Sequence, residues 1–249
     1  MRLNLRVWRQ HDAHSPGEFT VYEVDDASPD MSLLELLDHL NERLVTQGTA
    51  PIAFDSDCRE GICGACGITV DGRAHGPVPN VASCHQHLRS FTDGATVTLE
   101  PFRTGAFPVV RDLAVDRSAL DRLIEAGGFV SVDAGTAADA DGAPTPHLIA
   151  EEALDMAACI GCGACVAACP NGSAHLFAGA KLAHLALVSR GRAERGRRAR
   201  RIVDRLDSEF GPCSTHGECA EVCPASIPMT AVATVNRERL RAALRRGDD

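Results

Sequence analysis

Four cysteines, Cys159, Cys162, Cys165 and Cys169, stand at the spacing C-x2-C-x2-C-x3-C, with Pro170 directly after them. Thiolates at this spacing can converge from one tight turn onto the corners of an iron–sulfur cube. Gly161, Gly163 and Ala164 between them leave the backbone room to curl close and aim N–H groups at the sulfides. The fourth cysteine of such a run is carried away by the next turn and reaches a different cluster, so a partner run is required. It lies near the C-terminus, as Cys213, Cys219 and Cys223-Pro224. Crossing the two runs gives Cys159, Cys162, Cys165 and Cys223 to a 4Fe–4S cluster and leaves Cys169, Cys213 and Cys219. His216 stands where the pattern would put the second cysteine of the C-terminal run. A cube short of one thiolate tends to lose that corner iron, so a 3Fe–4S cluster fits these three ligands. Two roles are open to His216: filling the vacant corner without binding iron, or ligating a fourth iron through its neutral imidazole. Zinc also uses CxxC pairs, but four cysteines this close, ended by Cys-Pro, favour iron and sulfide.

A second constellation precedes these. Cys58, Cys63 and Cys66 stand at C-x4-C-x2-C, and Cys84 follows. This is the plant-type 2Fe–2S spacing, and Gly61, Gly64 and Gly67 suit a loop that wraps a cluster. His85 and His87 raise a Rieske reading, but the four cysteines complete the site without them, so both are read as surface residues. Four, four and three ligands use all 11 cysteines. An odd number of cysteines grouped in metal-ligand patterns argues for a reducing compartment rather than a disulfide framework.

Elements that could hold these loops follow from periodicity. Leu3, Leu5 and Val7 alternate as a strand, and Phe19, Val21 and Val24 suggest its partner. Ser32 and Glu35 have capping-box spacing before an apolar face of Leu33, Leu36, Leu37, Leu40 and Leu44. Asp71-Gly72 predicts a hairpin turn, and residues 95–99 a closing strand. The fold class expected is α+β: an N-terminal β-grasp 2Fe–2S ferredoxin domain, residues 1–105, then a mostly α-helical, bacterial-ferredoxin-like domain, residues 106–249, holding two cubane-type clusters. In the second domain helices are expected from Ser118 to Ala126, Leu176 to Val188, Ile202 to Leu206 and Val235 to Arg246, and residues 131–146 as an exposed loop.

The 249-residue chain is long enough for two such domains. Its first residues contain no apolar signal-peptide core, and no window approaches a membrane span. The net charge is −9, yet eight arginines crowd Arg190–Arg205. Overall acidity and the lack of interleaved aromatics argue against nucleic acid, leaving a solvated helix face or a docking stripe for a partner or anionic head groups.

With these motifs the chain resembles the iron–sulfur subunits of succinate dehydrogenase and fumarate reductase over essentially its full length. The connector Pro108-Val-Val-Arg-Asp-Leu-Ala-Val-Asp116 matches that family's inter-domain segment. The resemblance implies a wire. Electrons would enter from FAD in a separate flavoprotein subunit, pass the two-iron, four-iron and three-iron clusters in that order, and reach quinone at a membrane-anchor subunit. It also implies a peripheral position on the cytoplasmic face of the cell membrane. The chain itself would carry no dicarboxylate active site. The reverse direction, fumarate reduction, would use the same wire, and another flavin-dependent oxidoreductase is a further alternative. His216, Pro170 and Ser214 are the candidate neighbours of the last cluster or of quinone. Ubiquinone-reducing members tend to have tryptophan and histidine where this chain has Ala174 and Ser214, which points to menaquinone.

Overall fold

The computed structural model describes residues 1–129, 145–188 and 192–244. Its first unit is a five-stranded sheet in the order β2-β1-β5-β3-β4. The strands are β1 (Leu3–Arg9), β2 (Glu18–Val24), β3 (Ile68–Val70), β4 (Arg73–Ala74) and β5 (Thr96–Pro101). β5 runs parallel to β1 and antiparallel to β3, so the sheet is mixed. Helix α1 (Leu33–Thr46) covers one face and buries Leu33, Leu34, Leu36, Leu37, Leu40 and Leu44. Its start is fixed as the sequence predicts: Ser32 N–H donates to Glu35 Oε2 (2.6 Å) and Glu35 N–H to Ser32 Oγ (3.3 Å). The β3–β4 turn has φ of 48° at Asp71 and 79° at Gly72, the doubly positive geometry of a type I′ hairpin.

The inward face of β2 departs from the expectation. Tyr22 and Val24 turn toward the core, while Val21 is exposed and Phe19 lies on the outer face. The register pairs Trp8 with Phe19. Outside the sheet the Trp8 and Phe19 rings meet edge to face at 5.2 Å, with the guanidinium groups of Arg6 over Phe19 and Arg103 over Trp8. A cation–aromatic stack thus takes the place of burial on this side of an edge strand.

The connector contains a small hairpin, β6 (Val109–Arg111) and β7 (Ala114–Val115). Asp112 at its turn is buried, and its carboxylate accepts from Arg9 Nε (3.1 Å), Gln10 N–H (2.9 Å) and Ala53 N–H (2.8 Å). Beyond it lie α2 (Ser118–Glu125), α3 (His147–Ala157), α4 (Ala164–Ala167), α5 (His175–Val188), α6 (Arg192–Glu209), α7 (Glu218–Glu221) and α8 (Thr230–Leu244). α5 is apolar on nearly all sides and packs against α3, α6 and α8. Phe102 and Phe107 belong to this second core, whereas Leu113 belongs to the first, so the connector interlocks the two units.

The arginine-rich segment is part of α6 itself, not a link between helices, because arginine is a good helix former and several of these side chains have internal partners. Arg195 makes a paired bond to buried Glu238 (2.5 and 2.6 Å), and buried Arg198 donates to Gly127 O and to Glu194. Arg197, Arg201 and Arg205 face solvent. The loop expected at 131–146 falls almost wholly outside the described residues, as do Arg190 and the last residues of the C-terminal helix expected to Arg246.

Candidate iron–sulfur sites

Cys58, Cys63 and Cys66 ride on the loop between α1 and β3, and Cys84 comes to them on a 3₁₀ turn, Ser83–His85. Backbone amides point at the sulfurs: Glu60 N–H to Cys58 Sγ (3.3 Å) and Ala65 N–H to Cys63 Sγ (3.4 Å). The Glu60 and Ile62 amides, with a hydrogen bond from Cys63, hold the Cys58 thiol below its ordinary pKa. Cys66 and Cys84 are hydrogen-bonded to each other. That bond raises the Cys66 pKa and brings Cys84 down to about 6, against the effect of its burial. His85 is exposed, and half-buried His87 bonds the Asp30 carbonyl at 3.0 Å.

In the second unit the cysteines surround two separate cavities. One is lined by Cys159, Cys162, Cys165 and Cys223, with Ile160, Phe177 and Ile227 among its apolar walls. Ile227 N–H points at Cys223 Sγ (3.4 Å). Burial pushes the Cys162 thiol up to about 12, drives Cys165 well above the ordinary value, and raises Cys159 although Lys181 opposes it. Thiols buried in this way stay protonated in water, and become thiolates when a metal takes the place of the proton. The other cavity is lined by Cys169, Cys213 and Cys219, together with Ser214, Thr215, His216 and Met229. Thr215 N–H points at Cys213 Sγ (3.4 Å), and Thr215 itself has a φ of 56°. Leu176 belongs to the walls of both cavities, which therefore lie back to back.

Family models match the chain in two stretches. The model described as a 2Fe-2S iron-sulfur cluster binding domain covers residues 4–122, and a 4Fe-4S dicluster domain covers 155–227. The fumarate reductase iron-sulfur subunit of Escherichia coli is 32% identical over 84% of this chain and 81% of its own length. The chain belongs to the succinate dehydrogenase/fumarate reductase iron–sulfur subunit family. The succinate dehydrogenase iron-sulfur subunit of Bacillus subtilis is 29% identical over 98% of this chain and 94% of its own length. A chain of the Mycobacterium smegmatis Sdh1 complex in the apo form shares the fold, with a TM-score of 0.69 at 22% identity and coverage of 99% and 98%.

Members of this family carry 2Fe–2S, 4Fe–4S and 3Fe–4S clusters, and the residues present suit such groups. Thiols surround apolar space, and amide N–H groups point at sulfur in each of the three places. His216 and Ser214 are exposed at the mouth of the second cavity, while exposed Pro170 is not in its wall.

Several residues at these sites carry no motif. Lys181 is the one charged residue of apolar α5, an oddity that the sequence displays; it donates to Cys159 O at 3.4 Å. Asn171 Nδ2 braces the third site by donating to Ser214 Oγ (2.8 Å) and Pro212 O (3.0 Å). Arg117 reaches two of the cysteine loops from the start of α2, and nothing in its sequence context announces it.

Proposed function

We propose that Cys58, Cys63, Cys66 and Cys84 hold the 2Fe–2S cluster, Cys159, Cys162, Cys165 and Cys223 the 4Fe–4S cluster, and Cys169, Cys213 and Cys219 the 3Fe–4S cluster. One observation carries this reading. The two cysteine runs are exchanged between the cavities: Cys223 stands with the first three cysteines of its partner run, while Cys169 stands with Cys213 and Cys219. The chain is thus the electron-transfer subunit of a succinate:quinone oxidoreductase, with residues 1–105 and 106–249 as its two domains. When bound, the clusters take up and release single electrons.

The protein's part is to hold and tune them. Apolar walls such as Phe177 and Leu176 exclude water, and amide N–H groups aimed at sulfur favour the more negative, reduced state. Electrons would enter from an FAD-containing flavoprotein subunit at the two-iron loop, where Ile62 is 70% exposed. They would leave at the Ser214–His216 mouth, to menaquinone at a membrane-anchor subunit on the cytoplasmic face of the membrane. Among the described residues no helix is long and apolar enough to cross a membrane, which suits attachment through a partner. Fumarate reduction in the opposite direction would use the same residues, and relatives bear both names.

EPR of the oxidised protein tests the third site. A three-iron signal is expected from the wild type, with His216 as a filler of the open corner. His216→Cys completes the four-cysteine pattern and should replace that signal by a four-iron cluster of lower potential. Fully loaded wild-type protein without a three-iron signal would overturn the assignment.

A further inference from the structure

The two cysteine loops that would carry the first two clusters meet backbone to backbone at Gly64. Gly64, between Cys63 and Cys66, has a φ of 72°, and a methyl group there would fall 2.4 Å from Ile160 O and 2.9 Å from Cys162 N. Neither distance leaves room for any side chain, so the peptide planes of one loop lie directly on those of the other. Across this contact the Arg117 guanidinium donates from one nitrogen to both loops, to Gly64 O (2.5 Å) and to Cys162 O (3.0 Å). Two further contacts brace the pair. Phe102 lies where a side chain at Gly67 would be (2.6 Å), and Phe107 where one at Gly163 would be (2.8 Å). Both rings are fully buried; Phe107 closes a bridged turn with Thr104, and Phe102 lies two residues before that turn.

We propose that Arg117 is a positioning residue for electron transfer between the first two clusters, a clamp that sets their separation and adds positive charge beside both. The inference rests on the cluster assignment above. The step it serves moves one electron: the two-iron cluster is oxidised by one, the four-iron cluster is reduced by one, and no bond or proton changes place. A single cation bonded to backbone carbonyls of both loops fixes their distance, and those bonds are stronger than neutral ones. The same charge favours the reduced state of each cluster.

The test uses the full chain in its loaded complex, comparing wild type with Arg117→Gln, Arg117→Lys and Arg73→Ala. Arg73 makes a different inter-unit bond, to Glu221 O (2.7 Å), and so controls for general loosening. Loaded wild type should show magnetic interaction between the two reduced clusters in EPR. In Arg117→Gln all three clusters should remain detectable, with that interaction weakened and both midpoint potentials lowered. Amide exchange should rise about tenfold or more in loops 58–67 and 159–165, as expected for losing two hydrogen bonds to a charged donor. Arg117→Lys should restore the potentials and part of the interaction, and Arg73→Ala should leave both as in wild type. Wild-type interaction and potentials in loaded Arg117→Gln would overturn the proposal. So would equal losses in Arg73→Ala, or failure of both Arg117 variants to load either cluster, which would make Arg117 a requirement for loading and not for spacing. Wild-type protein lacking either cluster signal would instead count against the cluster assignment.

Discussion

Glu238 offers a perturbation whose consequence can be worked through from the structure. Its carboxylate is buried in the contact between α6 and α8, with Arg195 bound through two nitrogens at 2.5 and 2.6 Å, Arg241 at 3.2 Å and Arg237 at 3.6 Å. Burial works to raise its pKa, but hydrogen bonds and charge from Arg195, reinforced by Arg241 and Arg237, outweigh it and hold the group below the ordinary value of about 4.5. Glu238→Ala leaves the partly buried Arg195 without its partner, and breaking a buried pair in this way costs about 3–5 kcal/mol. For a unit of this size each kcal/mol moves the midpoint by about 2–4 °C, so a drop of roughly 10 °C is expected. α8 and the residue just before it supply Val232 and Met229 to the wall of the third cavity, so that site should fail first. The assay is the three-iron EPR signal followed through heating at one scan rate, with the two-iron signal as an internal control. The lowered pKa also fixes the sign of a pH effect. The contribution is fully present above about pH 4.5 and disappears as pH falls through the lowered value, so wild type loses its advantage over Glu238→Gln only in acid. Replacing the pair together, Arg195→Met with Glu238→Leu, should recover most of the loss. Parallel loss of the two-iron and three-iron signals, or no shift in Glu238→Ala, would refute the reasoning.

Two other substitutions probe the supports of the first and third sites. Asp112→Ala removes the acceptor of three inward donors and puts alanine at a φ of 46°, so a loss of about 3 kcal/mol or more is expected in the thermal persistence of the two-iron signal; Asp112→Asn, which tolerates that backbone and keeps one oxygen, should cost about half. Gly179→Ala would bring a methyl to 2.0 Å from Ala231 O, forcing α8 off α5, and should cost about 1–3 kcal/mol or more with a broadened or diminished three-iron signal and an intact two-iron signal.

The kinds of cluster that this family carries were legible in the sequence because cluster-binding patterns are written in short spacings. Cys159 to Pro170 must curl locally whatever surrounds it, and the exchange of Cys169 and Cys223 follows from that curl. α1 was legible for the same reason, since burial repeats along it at the helical period, and α5 because its sequence is apolar almost throughout. α3 was not, since Ala153 and Met156 are its buried residues while Leu148 and Leu154 face outward, so its apolar pattern points to no single face. The outer face of β2 misled for a related reason. Phe19 looks like a core residue until Arg6 and Trp8 are seen to cover it from the neighbouring strand.

What no spacing could reveal are the residues that tie one site to the next. Arg117 acts on carbonyls 53 and 45 residues away, and Arg195 finds Glu238 43 residues further on. Any residue has a carbonyl, so a guanidinium that binds two of them leaves no matching pattern of residue types. The arginine-rich stretch shows how this confounds a reading by composition. It has the look of one charged surface, yet Arg195 and Arg198 point inward to hold α8 and the end of α2, while Arg197, Arg201 and Arg205 remain outside. Among the side chains described, any docking role therefore falls to the latter three, and reversing Arg198 together with them would test folding and docking at once. An electron-transfer chain needs its stations both chemically competent and correctly spaced. In this protein the first requirement is met by local motifs, and the second by single long-range side chains such as Arg117.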